Sequence, residues 1–236
     1  MKHQNKFIFD VDGTLTPSRG VMDYEFRSWF NSFCLVNDVY LVTGSDKPKT
    51  VEQISETFNL CKRVYNCSGN EVWEKDTLVR RNEWTLPELA HTFLKQCLNE
   101  SAFPLRTGLH FEHRTGMVNF SIVGRNATLG ERKLYVKWDV EYDERDVIAH
   151  NFNIMFPDIE ARPGGETGID IAPKGADKSQ ILIDFNHEDH IHFFGDRMDE
   201  GGNDYPLKKA LWDDYYQQTC YHVTDWQDTW EKLKCV

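Results

Sequence analysis

Positive charge is scarce in this chain: 27 Lys and Arg stand against 38 Asp and Glu, a formal net charge of -11 over 236 residues. A field of that sign disfavours non-specific attraction to nucleic acid or to an anionic membrane, so no nucleic-acid partner is expected and any anionic ligand must meet a local basic patch. Long apolar runs are missing too. The opening stretch MKHQNKFIFDVDG sets only a few apolar residues between a charged start and the first acids, which reads against a signal peptide or membrane anchor and for a cytoplasmic protein. Paired C-x-x-C spacing is absent among Cys34, Cys61, Cys67, Cys97, Cys220 and Cys235. A chain of this size does not need staples, so reduced, mostly structural thiols are expected. Repeats, low-complexity tracts and Pro-rich linkers are also lacking. What is present, 40% hydrophobic residues, is ample for one large domain or for a core carrying an inserted second domain.

The most informative string is FIFDVDGTLT at residues 7 to 16. It sets Asp10 and Asp12 one residue apart after an apolar strand, and Gly13 argues that the strand ends there in a tight turn that spreads the two acids around one small volume. One carboxylate of such a pair can attack phosphorus and ligate Mg²⁺, while the other gives or takes a proton at the leaving oxygen. Asp-Gly is also a common turn pair; it is the longer string that favours chemistry.

Further along, residues 6 to 10 read as a buried strand and 22 to 36 as an amphipathic helix with Phe26, Trp29, Phe30 and Phe33 on its core face. DVYLVT at 38 to 43 is the next strand, and KPKTVEQISETF after it is a second helix. Strand, helix, strand, helix opens a doubly wound parallel sheet. Thr43 and Ser45 then stand at the carboxyl end of the second strand, where open α/β sheets bind ligands. From about residue 69 the pattern becomes a hairpin, a helix at 86 to 99 and alternating strands at 109 to 113 and 117 to 122, before the chain returns through a helix at 176 to 186 and the strand IHFFGD.

FIFDVDGTLT resembles the first motif of the haloacid dehalogenase superfamily of aspartyl phosphotransferases, which implies Asp10 as nucleophile and Asp12 as general acid/base. Thr43 fits the superfamily's second motif, and Ser45 fits the GSD version of eukaryotic-type phosphomannomutases. That narrower family is also resembled by EHRTGMVNFSIVGR followed by GER, which carries over Arg114, Arg125 and Arg132 as arginines for a phosphate. RPGGETGIDIAPKGADKSQIL resembles the family's GGQISFDVFPDGWDK, making Asp170 a sugar-hydroxyl ligand and Lys178 the third motif. HFFGDRMDEGGND resembles FFGDKTMPGGND; it implies Mg²⁺ held by Asp10, Asp196 and the main-chain carbonyl of Asp12, with Asn203 and Asp204 behind the metal ligands. Arg19 matches the Arg of DGTLTAPR, over the phosphoryl group or the sugar.

The resemblance implies a Rossmannoid core at 1–80 and 186–236, with an inserted α+β cap on an antiparallel sheet at 81–185. It implies interconversion of hexose 1-phosphate and hexose 6-phosphate, mannose being the expected sugar, with a hexose 1,6-bisphosphate as activator. Homodimers form through the cap in this family, and the apolar cap strands here permit it. Two departures keep a hexose-phosphate phosphatase as the alternative. Gly168 stands where the family places a serine that helps hold the distal phosphate, a hydroxyl contact worth about 0.5–1.5 kcal/mol. After GGND the chain reads YPLKKALWDDYYQQ, so either Lys208 or Lys209 replaces the family's second cation or the loop simply differs.

Overall fold

Strand β1 (Asn5–Phe9) is buried from Lys6 onward, as a near-continuous apolar run requires of a central parallel strand. The structure is a computed structural model that describes residues 5–18, 20–215 and 217–236. After β1 come α1 (Tyr24–Val36), β2 (Asp38–Val42), α2 (Lys47–Ile54), α3 (Thr57–Leu60), β3 (Arg63–Asn66), β4 (Glu71–Glu74) and β5 (Thr77–Arg81). A second unit holds α4 (Glu88–Glu100), β6 (Phe111–Arg114), β7 (Met117–Phe120), α5 (Leu129–Tyr142), α6 (Glu144–Met155), β8 (Ile159–Gly164) and β9 (Gly168–Pro173). The first unit resumes with a 3₁₀ segment at Lys178–Asp184, followed by β10 (His190–Gly195), α7 (Tyr205–Asp214), β11 (Gln218–His222) and α8 (Trp226–Leu233).

The first unit carries a seven-stranded sheet in the order β11-β10-β1-β2-β3-β4-β5, parallel from β11 to β3 with β4 and β5 added antiparallel. From β1 the chain winds outward to β2 and β3, then returns on the other side as β10 and β11. The β1/β10 boundary is therefore the switch point at which such sheets build their sites. One face is packed by Phe26 and Phe30 of α1, Ile54, Phe58 and Leu233, and the other by Ile181, Leu207 and Leu211. The aromatic stripe of α1 is core, as its spacing predicts; Asp23 caps that helix by accepting from the amides of Glu25 and Phe26.

Three local expectations shift. The single helix expected over KPKTVEQISETF breaks at Ser55, whose φ is 50°, and the Gln53 carbonyl accepts from the Met22 amide at 2.8 Å instead of continuing the helix. The hairpin after residue 69, whose antiparallel pattern suited an insert, extends the core sheet through β3–β4 pairing. The compact units divide as Met1–Asn82 with Gly175–Val236, and Glu83–Lys174, so the segment read as a returning helix at 176 to 186 belongs to the core unit and lies outside the insert, whose expected bounds of 81–185 include it. Ile181 explains this: it is wholly buried beside Tyr65, Phe185 and Phe193 of the core. Asp184 meanwhile accepts from both terminal nitrogens of Arg80 at 3.1 Å.

Taken by itself, the second unit is a four-stranded antiparallel sheet ordered β6-β7-β9-β8. Val118, Phe120, Ala161, Ile169 and Ile171 turn one face onto Ala90 and Leu94 of α4, Tyr135 of α5 and Phe152 of α6. The other face is polar. Among the described residues no disulfide forms, and no helix is long and apolar enough to cross a membrane.

The core also buries a histidine. His192 stacks on Phe7 with ring centroids 4.7 Å apart, and burial, helped by neighbouring His190, holds its imidazole down to about 4 from 6.5. A lowered histidine pKa means that the unfolded chain takes up the proton first, so stability is lost as pH falls from about 6.5 towards 4. His192→Phe keeps the stack and removes the titration, and is expected to retain on the order of 1 kcal/mol more stability than the parent at pH 5 than at pH 7. Denaturant melts of both proteins at the two pH values check this; parallel losses would rule it out.

Candidate active site

Asp10 follows β1 directly, its amide donating to the Phe194 carbonyl of β10 at 2.9 Å. The chain then folds back on itself: the amides of Leu15 and Thr16 donate to the Val11 carbonyl at 2.9 and 3.1 Å. Gly13 makes this turn with φ +82°, and a Cβ there would run into the Asp196 carboxylate. Only glycine meets both demands. Asp10 is 2% exposed, and its Oδ2 accepts from the Thr14 hydroxyl at 3.4 Å.

Lys178 donates from Nζ to Asp10 Oδ1 at 2.5 Å and to Asp204 Oδ1 at 2.7 Å. It is 1% exposed. Its segment is held on both sides: the Gln180 side-chain Nε2 donates to the Ser68 carbonyl at 2.8 Å, and the Asp177 carboxylate accepts from the Ser179 backbone amide at 2.8 Å. Asp204, wholly buried, accepts at its other oxygen from the Arg197 amide at 3.1 Å. Asp196 is half-buried at the end of β10, while Asn203 is exposed on the turn ahead of α7.

One ammonium is thus shared by two buried carboxylates, with a third beside them. Burial, reinforced by Asp204 and Asp196, pushes Asp10 up to about 8 against the pull of Lys178. Burial and Asp204 likewise raise Asp196. Lys178 itself would be lowered by burial, but Asp10 and Asp204 outweigh that and keep it charged. Carboxylate oxygens of Asp10, Asp196 and Asp204 lie within 4.8 Å of one another. An all-oxygen set with surplus negative charge suits a hard divalent cation such as Mg²⁺.

Asp12 is held apart from this cluster. Its Oδ1 accepts from Gln53 Nε2 at 2.9 Å, and its Oδ2 accepts from the Ser45 hydroxyl at 3.4 Å. The two hydroxyls after β2 are thereby separated in role: Ser45 reaches Asp12, whereas Thr43 is buried and its hydroxyl accepts from the Ser45 amide at 3.1 Å. Asp46 caps α2, accepting from the Lys49 amide at 3.0 Å. Arg19 lies outside the described residues.

Gln53 was not legible as a site residue. It lies on α2, is 1% exposed, and its side-chain amide also approaches the Thr16 hydroxyl at 3.3 Å and the Gly20 carbonyl at 3.2 Å. The one signal was a glutamine on the buried face of a helix. Gln53→Leu is expected to lower kcat about 10- to 100-fold with little change in KM, because it releases from its anchor the Asp12 carboxylate, which the sequence resemblance implies as the general acid/base. Steady-state kinetics read this directly, and a change confined to KM would contradict it.

Arg114, Arg125, Arg132, Gly168 and Asp170 lie in the second unit. Strand register aligns Glu112, Asn119, Asp170 and Arg162 in one row across β6, β7, β9 and β8. Asn119 donates to Asp170 Oδ1 at 2.5 Å. A Cβ at Gly168 would sit 2.5 Å from Asn119 Nδ2 and 2.7 Å from its Oδ1, so the asparagine side chain fills the space that a residue larger than glycine would need. Glu112 accepts from Arg114 Nε and Nη2 at 3.2 and 3.0 Å, and from Arg125 Nε. Arg132 stands in the first turn of α5, which Thr128 and Glu131 start with a capping box. Its Nη2 donates to Glu166 Oε2 at 3.2 Å. Lys208 donates to the Met198 carbonyl at 3.3 Å in the loop after β10. Glu112, Asn119 and Glu166 were not singled out from the sequence; for Glu112 the signal was strand parity with Arg114, two residues away.

Solved structures share the fold. The chain resembles a Plasmodium falciparum IMP-nucleotidase with a TM-score of 0.63 at 16% identity, covering 98% of this chain and 68% of that one. It resembles a haloacid dehalogenase-like hydrolase from Bacteroides thetaiotaomicron with a TM-score of 0.60 at 14% identity, covering 99% of both. In sequence it is 31% identical to a phosphomannomutase of Drosophila melanogaster over 215 residues, covering 85% of this chain and 84% of that protein. It is 32% identical to a phosphomannomutase of Saccharomyces cerevisiae over 219 residues, covering 87% and 85%. The family model for eukaryotic phosphomannomutase matches residues 29–236. With relatives above 30% identity over most of its length and a family match running from α1 to its last residue, the chain belongs to the eukaryotic phosphomannomutase family.

Proposed function

We propose that the protein interconverts hexose 1-phosphate and hexose 6-phosphate, with mannose 1-phosphate and mannose 6-phosphate as its pair, through an aspartyl phosphate on Asp10. The observation that carries this reading is the switch-point geometry: Lys178 lies against Asp10 at 2.5 Å and Gln53 against Asp12 at 2.9 Å, in a chain of that family. A phosphorylated Asp10 gives its phosphoryl group to a hydroxyl of the hexose monophosphate, and Asp12 takes the hydroxyl proton. The resulting bisphosphate turns over. Asp10 then attacks the other phosphorus, the bond from phosphorus to the sugar oxygen breaks, and Asp12 returns the proton to that oxygen. Lys178 screens the carboxylate from the incoming phosphate. Asp10, Asp196 and the Asp12 carbonyl would hold Mg²⁺, with Asp204 behind them, and the ion would supply positive charge to the phosphoryl oxygens.

Arg114, Arg125 and Arg132 are assigned to the phosphate that is not reacting, since guanidinium forks match a phosphate dianion. A hexose 1,6-bisphosphate is the activator, because it alone can load Asp10 without stranding a sugar. The second reading, a hexose-phosphate phosphatase, is favoured by one observation: the position of the expected serine is Gly168, and the Asn119 carboxamide blocks a larger residue there. A single assay separates the two. Purified protein with mannose 1-phosphate, Mg²⁺ and a trace of glucose 1,6-bisphosphate is expected to yield mannose 6-phosphate without free phosphate. Free phosphate with little isomer would establish hydrolysis instead.

A further inference from the structure

The arginines assigned to the non-reacting phosphate are paired with carboxylates of their own unit, and those carboxylates differ in kind. Glu112 binds two guanidiniums through three hydrogen bonds. Although burial pushes it upward, Arg114 and Arg125 hold its carboxyl below the usual range. It orients the forks and is not readily displaced. Glu166 is the opposite case. Its side chain is 69% exposed and, among the described residues, is ion-paired to Arg132 alone, which is itself only 16% exposed.

The backbone beneath Glu166 is nevertheless fixed. Arg145 Nη1 donates to the Gly165 carbonyl at 3.1 Å and to the Gly168 carbonyl at 3.3 Å, and it is anchored in turn on the buried Asp139 at 2.7 Å. On the other side the Ser121 hydroxyl donates to the Thr167 carbonyl at 2.9 Å. A pinned turn therefore delivers a solvated carboxylate to a packed guanidinium. An exposed single-contact ion pair contributes little, whereas a phosphate dianion on an arginine fork is a charge-assisted and often bidentate partner.

We infer that Glu166 is an intramolecular competitor for substrate phosphate at Arg132, a specificity-determining residue that sets how tightly the non-reacting phosphate is held. This rests on the assignment of Arg132 to that phosphate. A ligand whose distal group carries two negative charges displaces the glutamate, and one that offers a neutral group there does not. The glutamate also returns to Arg132 when product leaves, which favours release over retention.

The test is calorimetric titration of the full-length protein with glucose 1,6-bisphosphate, alongside KM and kcat for mannose 1-phosphate. Glu166→Gln is expected to tighten bisphosphate binding and lower KM about two- to five-fold with kcat unchanged. Glu100→Gln, on an exposed end of α4, removes the same charge elsewhere and is expected to change neither. In an Arg132→Ala background the gain from Glu166→Gln is expected to vanish, which a general charge effect would not do. Equal affinities of parent and Glu166→Gln, or a gain that persists without Arg132, would overturn the competitor role while leaving the mutase reading intact. Tight bisphosphate binding that Arg132→Ala does not weaken would remove Arg132 from the phosphate, and the inference would fall with it.

Discussion

Asp10→Asn is expected to abolish phosphoryl transfer, by on the order of 10⁴-fold or more, in a protein that melts no lower than its parent. The loss of activity is expected from the role proposed for Asp10, since an amide is no substitute for a carboxylate nucleophile. The retained stability follows from charge balance. Asp10, Asp196 and Asp204 converge within 4.8 Å, and among the described residues Lys178 is the one ammonium hydrogen-bonded to them. Neutralising Asp10 leaves Lys178 paired with Asp204 and removes a carboxylate that burial already pushes up to about 8. Turnover and thermal melts on the same preparation check both halves. Residual turnover near the parental rate would displace Asp10 as nucleophile, and a lowered melting temperature would mean that the ion pair outweighs the repulsion.

Lys178→Met touches the same pair and is expected to act in the opposite direction on the fold. Taking away one partner of a buried charge pair typically costs about 3–5 kcal/mol, which for a chain of this length lowers the melting temperature by roughly 10 °C. Here the loss strands two carboxylates, one 2% and one 0% exposed. Transfer activity is expected to fall about 10²- to 10³-fold, because the screening proposed for Lys178 between Asp10 and an incoming phosphate dianion is then lost. Lys178→Arg is not expected to rescue it; a planar fork does not fit a site shaped around a point charge with two acceptors at 2.5 and 2.7 Å. Melting Lys178→Met beside Asp10→Asn makes the comparison sharp. If both variants shift the same way, the charge-balance account of this site is wrong.

Some of the second unit was hard to read for a physical reason. Helix α5 buries only Tyr135 and Asp139, so its sequence carries no apolar stripe at helical spacing, and neither it nor α6 stood out. The hairpin of β4 and β5 was legible as a hairpin, yet not as part of the core sheet. Local alternation says that a strand has a partner and leaves open which one. The return was legible as a helix at 176 to 186, yet its place in the core unit was not: the segment is a short 3₁₀ stretch, and it is Ile181 packing into the core that assigns it.

The sequence by itself determined whatever depends on near neighbours: the strand that gives way to a turn made by Gly13, the two acids beside it, the parallel winding of the core, and the three arginines with their spacing. Tertiary structure alone decided who meets whom. Lys178 reaches Asp10 across 168 positions, Gln53 reaches Asp12 across 41, and Glu166 reaches Arg132 across 34. Periodicity and turn chemistry are set by forces acting within a few residues, whereas these pairings depend on strand order and register. Those are fixed only when the whole chain buries its apolar faces together.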